Sequence, residues 1–307
     1  MSLRKKIKSF DADEKITAKT YLKPLIYLLP FIVAISIFTI YPFFNAFLIS
    51  LKENYRALTG NYTGFGFANY EYVLTNETFI LALKNTVVYV LWVVPISTGL
   101  SLLVAVMLNR KTKLQAFFQT AYFLPMVTSA IAVGLVWRWL FNFDYGIINF
   151  VLSRLGNSAI NWLNNPSYAR IALIIYGIWS MMPFTIILLL AGLQNINKQY
   201  LIAAQVDGSK PIQTFTYITV PLLAPTIGLT MIVNMITAFK VFNELFALFN
   251  GKPGPAYSLY TVIYFMYEQF YVRYRLGNAA ASAIVLFFIV MILTLIQLYM
   301  QRKWKNY

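Results

Sequence analysis

The chain carries the polar stretch Gln194-Asn195-Ile196-Asn197-Lys198-Gln199-Tyr200-Leu201-Ile202-Ala203-Ala204-Gln205-Val206-Asp207-Gly208-Ser209-Lys210-Pro211-Ile212-Gln213-Thr214-Phe215-Thr216-Tyr217-Ile218-Thr219-Val220-Pro221. It is preceded by the apolar run Ile171–Leu193 and followed by Leu222–Leu248. Each run meets the roughly 20 apolar residues that a helix needs to cross about 30 Å of hydrocarbon. A connection of this length between two spans is no tight turn, so it must hold structure of its own. Leu201, Ala204 and Gln205 fall on one face of a first short helix, where Ala203 is small enough to allow close approach. Gly208 has the permissive backbone that ends a helix, and Pro211 suits the first turn of the next one. Phe215 and Ile218 give that second helix an apolar side, and Pro221 opens the following span. The expectation is two short helices at a sharp turn against the membrane face.

Outward from this loop, four more runs qualify as spans. They are Leu25–Leu48, Asn85–Leu108, Ala116–Phe141 and Ala279–Met300. The fold class that follows is an all-α polytopic membrane protein with six transmembrane helices. Composition points the same way: 59% of the 307 residues are hydrophobic and only 11% are charged. Soluble domains carry about 25% charged residues, so a soluble enzyme of this length is excluded. The sequence holds no His and no Cys. Zinc, haem and iron–sulfur ligation, thiol chemistry and a Ser-His or Cys-His nucleophile pair are therefore not expected, and no metal site is.

The net charge of +15 would suggest nucleic acid in a soluble domain. Its placement argues instead for membrane topology and no nucleic-acid partner. Seven Lys/Arg lie in residues 1–24, three in the loop after the second span (Arg110, Lys111, Lys113), two after the fourth (Lys198, Lys210) and three in the tail (Arg302, Lys303, Lys305). The opposite loops hold six over longer segments: Lys52, Arg56, Arg154, Lys252, Arg273 and Arg275. The positive-inside rule places both termini in the cytoplasm. The expected organisation is a cytoplasmic segment 1–24 without the apolar stretch of a cleavable signal, a six-helix domain 25–300, and a cytoplasmic tail 301–307. The loop 194–221 then faces the cytoplasm, where a rigid knob is a docking element for a soluble partner.

Among the external loops, the aromatic cluster Tyr264, Phe265, Tyr267, Phe270, Tyr271 and Tyr274 reads as an interfacial belt or as ligand contacts, the belt being favoured. Asn61-Tyr62-Thr63 and Asn76-Glu77-Thr78 match the glycosylation sequon and are taken as coincidence outside a eukaryotic secretory pathway.

The longer pattern in the quoted stretch, Ala203-Ala204, Gly208, then Ile218 and Val220-Pro221, resembles the EAA loop of ABC importer permeases. Ile202 stands where that loop usually has Glu, and Val220 where it usually has Leu. The resemblance runs from about residue 20 to 300 and is to the binding-protein-dependent sugar permeases of the maltose and glycerol-3-phosphate type. Gly66-Phe67-Ala68-Asn69-Tyr70, Leu124-Pro125 with Trp137 and Trp139, Gly146 with Asn149, Asn161-Trp162-Leu163 with Pro166, and Phe239 to Asn243 carry it in order. Gly277-Asn278-Ala279-Ala280-Ala281 does the same at the last span, and Gly251 to Pro255 matches in part, with Lys252 intruding. This implies a type I importer-like fold in a bacterial cytoplasmic membrane. It implies a second homologous permease subunit, two cytoplasmic ATPase subunits docking on the loop with Ala203, Ala204, Asp207, Gly208, Ile218 and Pro221, and an external or periplasmic solute-binding protein. ATP and Mg would be used by the ATPase subunits; this chain has no G-x-x-x-x-G-K-[ST] phosphate loop and is expected to bind no cofactor.

Polar side chains inside spans are costly and tend to face the bundle interior or a water-filled path. At 100° per residue, Thr230, Asn234, Thr237, Lys240 and Glu244 share about one third of the circumference of the fifth span, with Asn243 about 60° beyond Lys240. The stripe reads either as a polar wall of a sugar path or as glue between helices. Asn234 fits both readings equally. Lys240 and Glu244, four apart, are expected to pair, more as structure than as a site. Tyr122, Tyr176 and Trp179 are candidate aromatic faces for a sugar. The function expected is the permease subunit of an ATP-driven carbohydrate importer, a transporter rather than an enzyme. Import of glycerol-3-phosphate or another non-sugar solute is the near alternative. A secondary-active transporter would show inverted repeats with matching broken helices, and a membrane enzyme paired carboxylates at depth; neither is seen in the sequence.

Overall fold

The computed structural model describes residues 18–56, 59–109 and 115–304. The expected cationic segment lies largely outside these residues, as do Arg110, Lys111, Lys113 and Lys305. Two compact units, Met1–Ile49 and Ser50–Tyr307, divide the chain. The first unit holds most of helix α1, Ile26–Leu51. Its hydrogen bonding slips to a π turn over Ser36–Ile40, closed by Tyr41 N–H to Ser36 O. The slip falls just before Pro42, whose missing N–H would otherwise leave a gap in the ladder.

The second unit opens with a two-residue antiparallel pair, β1 (Lys52–Glu53) on β2 (Gly64–Phe65). It continues through α2 (Ala68–Thr75), α3 (Glu77–Leu108), α4 (Gln115–Val127), α5 (Ala130–Leu140), α6 (Ile147–Arg154) and α7 (Pro166–Gln194). After these come α8 (Lys198–Val206), α9 (Pro211–Phe239), α10 (Asn243–Leu248), α11 (Val262–Tyr267) and α12 (Leu276–Trp304). The chain is an all-α multi-pass membrane protein: α1, α3, α7, α9 and α12 are long and apolar enough to span, and α4 with α5 passes the same test only as a sharply bent pair, a broken sixth span or a re-entrant loop.

The core is built where α3 lies along α7 and α9 crosses both, with α12 on α9. Lipid is as apolar as leucine, so association here relies on close packing rather than on escape from water. Small residues let the backbones approach: Gly177 meets Tyr89, and Gly134 of α5 rests on Ala247 of α10. A side chain at either glycine would collide with that neighbour.

Three expectations are corrected. The third span is not one helix from Ala116 to Phe141; it bends by 112° between α4 and α5. The break follows Pro125, whose carbonyl accepts the Thr128 hydroxyl at 2.9 Å, while Tyr176 Oη donates to Ala130 O at 3.2 Å and fixes the start of α5. The fifth span does not reach Leu248: α9 stops at Phe239 and the chain restarts as α10. The loop also does not hold two separate short helices. Only α8 is short; Pro211 begins a helix that continues to Phe239. Pro221 therefore lies inside that helix, preceded by a second π turn at Phe215–Thr219 that absorbs its missing N–H as the first does at Pro42.

Candidate coupling element and translocation path

The loop forms a stiff, outward-facing knob. Asn197 caps α8 by accepting Gln199 N–H at 3.0 Å. At the other end Gly208 adopts φ +73°, Ser209 N–H reaches Ala204 O at 2.9 Å and Gly208 N–H reaches Gln205 O at 3.1 Å. This pair of bonds is a Schellman turn, which a Cβ at Gly208 would strain. Lys210 N–H donates to Gln213 Oε1 at 2.9 Å, capping α9, and the Thr214 hydroxyl donates to Ser209 Oγ at 3.1 Å across the corner. Both helices are thus pinned to one turn.

Ala204 is buried and Leu201 half-buried, so these two anchor the knob. Gln205, expected on the same face, is exposed with Ala203, Asp207 and Gly208; Pro221 is exposed and Ile218 half-buried. The outward surface also carries Ile202, Val206 (82% exposed), Ile212 and Tyr217. Ile202 and Val206, four apart, share a helical face. The sequence reading emphasised the small residues and passed over this apolar face, although the i, i+4 spacing of Ile202 and Val206 would have revealed it.

Along α9 the expected polar stripe separates into two groups. Asn234 is 3% exposed; its amide donates to Thr98 Oγ1 of α3 at 3.2 Å and to Thr185 Oγ1 of α7 at 3.0 Å. These bonds knot three helices together. Thr98 and Thr185 went unnoticed because their side chains meet Asn234 only through the fold. Thr230 is buried, its hydroxyl donating to Ile227 O. Thr237, Lys240 and Asn243 are exposed instead.

The Lys240–Glu244 pair is not formed: among the described residues the one ion pair is Arg273–Glu268 at 2.6 Å. The 100° arithmetic assumed a continuous helix, and the backbone breaks at Lys240 to Phe242, where Phe242 has φ −152° and ψ −51°. Irregular backbone at membrane depth needs its freed groups satisfied. Here the Thr261 hydroxyl donates to Val241 O at 3.2 Å and also caps α11 by accepting Tyr264 N–H. Glu244 sits in α10, half-buried.

Trp179 is half-buried in an aromatic group, its ring 5.5 Å from Trp137, which lies 5.7 Å from buried Tyr176. Tyr122 is on α4, beyond the bend, and no ring contact brings it to that group among the described residues. The cluster expected as a belt is partly core. Phe265 is buried against Phe79, while Tyr264 and Tyr267 stack around Phe242 at the break. Tyr260 donates to Glu268, and burial foremost, then that bond, pushes its phenol well above the usual range.

Three asparagines tie loop backbone in place. Asn69 donates to Ser50 O and Lys52 O, each at 2.9 Å. Asn85 donates to Tyr257 O and Tyr260 O. Asn149 donates to Phe143 O and Ile160 O and accepts from Ile160 N–H and Trp162 Nε1. All three are buried, so each satisfies backbone groups that would otherwise be stranded.

The family described as binding-protein-dependent transport system inner membrane component matches residues 97–306. The arabinooligosaccharides transport system permease protein AraP of Bacillus subtilis is 32% identical over 286 residues, covering 92% of this chain and 90% of that protein. The sn-glycerol-3-phosphate transport system permease protein UgpA of Agrobacterium fabrum is 31% identical over 288 residues, covering 92% and 96%. In fold, the chain is similar to one in the crystal structure of a bacterial ABC transporter involved in the import of the acidic polysaccharide alginate. The TM-score is 0.79 at 25% identity, over 93% of this chain and 96% of that one.

Proposed function

The chain belongs to the family of binding-protein-dependent transport system inner membrane components, and from that membership we propose that it is one permease subunit of an ATP-driven carbohydrate importer in a bacterial cytoplasmic membrane. Both termini and the α8 knob face the cytoplasm. A homologous permease subunit completes the path, a solute-binding protein delivers the sugar from outside, and two ATPase subunits consume ATP and Mg. The observation that carries the coupling role is the knob itself. An apolar face on α8 is held by a Schellman turn to the start of a 29-residue helix, so force applied at Val206 moves the span rather than a slack loop. ATP-driven closure of the ATPases would shift α9 and open the path outward.

The path residues on this reading are Thr237, Lys240 and Asn243 with half-buried Glu244, the aromatic faces are Tyr122 and Trp179, and Asn234 is the anchor. Helix breaks place backbone and polar side chains where a hydroxyl-rich solute can use them. Relatives that carry arabinooligosaccharides and alginate support a saccharide. An anionic solute is the second reading: Lys240 presents a cation at the break, and one relative carries sn-glycerol-3-phosphate.

Mild-detergent purification of the tagged chain from its host, followed by mass spectrometry, tests the assembly. A second multi-pass permease and an ATPase at two copies per complex are expected. Recovery of the chain alone would contradict the proposal and favour a secondary transporter.

A further inference from the structure

A concave cleft of about 720 Å³ lies among the loops between β1 and α2 and just ahead of α12, apart from the path. Four tyrosines line it, Tyr55, Tyr62, Tyr72 and Tyr274, together with Asn61 and Arg275. Its size is that of a small-molecule site, but its walls are rings and amides rather than aliphatic side chains. We infer that this cleft is an external saccharide-binding site, on which a sugar chain rests against the tyrosine faces while its hydroxyls bond to the amides and the guanidinium.

Three observations carry this. First, the rings are held in place and remain accessible. The Lys52 ammonium lies 5.1 Å from the Tyr55 ring centroid and 4.9 Å from that of Tyr62, and the Arg275 guanidinium lies 5.8 Å from that of Tyr72. Such contacts fix ring orientation while leaving edges and the opposite faces open. Second, two lining residues hold left-handed backbone, Asn54 at φ 51° and Tyr274 at φ 54°. A bulky aromatic there is a real outlier, and strain of this kind gathers at ligand sites. At Tyr274 it holds the ring outward, 75% exposed. Third, the charges in the wall are mixed in sign: the Glu53 carboxylate lies there with the Arg56 and Arg275 guanidiniums. A cleft built to receive an acidic face of a protein would present cations with no acid among them. A hydroxylated ligand with alternating C–H and O–H faces fits rings flanked by amides better.

The inference rests on the carbohydrate reading above, and its test separates the two. The complex purified from its host is reconstituted in nanodiscs without the binding protein, and maltotriose, arabinotriose and trigalacturonate are titrated by calorimetry. At least one trisaccharide should bind, with at least tenfold weaker affinity in Tyr62→Ala and in Tyr274→Gly, and unchanged affinity in Asn157→Ala, an exposed position outside both the cleft and the path. No binding to the parent complex, or equal binding by the cleft variants, would overturn the cleft site while binding-protein-driven sugar uptake left the importer reading standing. Weakened stimulation of ATPase by the binding protein, with saccharide affinity unchanged, would equally overturn it and make the cleft a protein-docking surface.

Discussion

Asn234, Gly208 and Tyr260 show how single side chains set this structure. Asn234 bonds to hydroxyls on two other helices, and such contacts in a membrane are worth about 0.6–2 kcal/mol. Replacing Asn234 with Leu should lower the thermal midpoint of the detergent-solubilised protein by a few degrees with little change in uptake KM; a large KM change at unaltered stability would return the residue to the path. Gly208 holds φ +73°, which costs a residue with a Cβ roughly 1–2 kcal/mol. Gly208→Val should leave the spans inserted while cutting transport per ATP hydrolysed at least several-fold, and normal coupling would count against the knob. Tyr260 titrates in the folded chain well above its unfolded value of about 10. A raised pKa contributes stability that is complete below about pH 10 and is lost as pH rises beyond it. Stability should therefore fall above pH 10, and Tyr260→Phe should flatten that fall in an alkaline melting series.

At the scale of elements, the broken helices matter most. The α9–α10 break leaves Val241 O dependent on one hydroxyl, that of Thr261, which also caps α11. Thr261→Val removes both interactions and strands a buried carbonyl, at about 1–3 kcal/mol for the stranded group alone. Hydrogen exchange should rise around residues 240–246 and 262–266 before the rest of the bundle loosens; uniform protection would show that the break is held by packing alone. The sequence concealed both breaks for the same reason. Leu124 to Ala130 and Val241 to Phe249 each carry only two polar residues through their bends, Thr128 with Ser129 and Asn243 with Glu244, so a count of apolar residues over a whole window reads one span where the backbone makes two pieces. The long helices were legible because twenty apolar residues leave few alternatives. The π turns before Pro42 and Pro221 were legible only as prolines. The carbonyl partners of Asn85 lie 172 and 175 residues away, beyond the reach of any local pattern.

For the whole molecule, the proposed function requires a capped helix and a continuous span to transmit an ATPase motion to the path. The knob was readable in outline from Gly208 and Pro211, since turn chemistry is local. Its working face was not, because which side of α8 is buried depends on what Leu201 and Ala204 pack against. The absence of cysteine in the chain makes a direct test available. A Val206→Cys variant supplies the only thiol of this subunit, on the outward face. In inside-out vesicles from the native host, a short thiol-to-amine cross-linker should join this residue to an ATPase subunit, and assembled complex should shield the thiol from a bulky maleimide. A thiol that stays fully reactive in complexes active for ATP hydrolysis, with no adduct to an ATPase, would contradict the account.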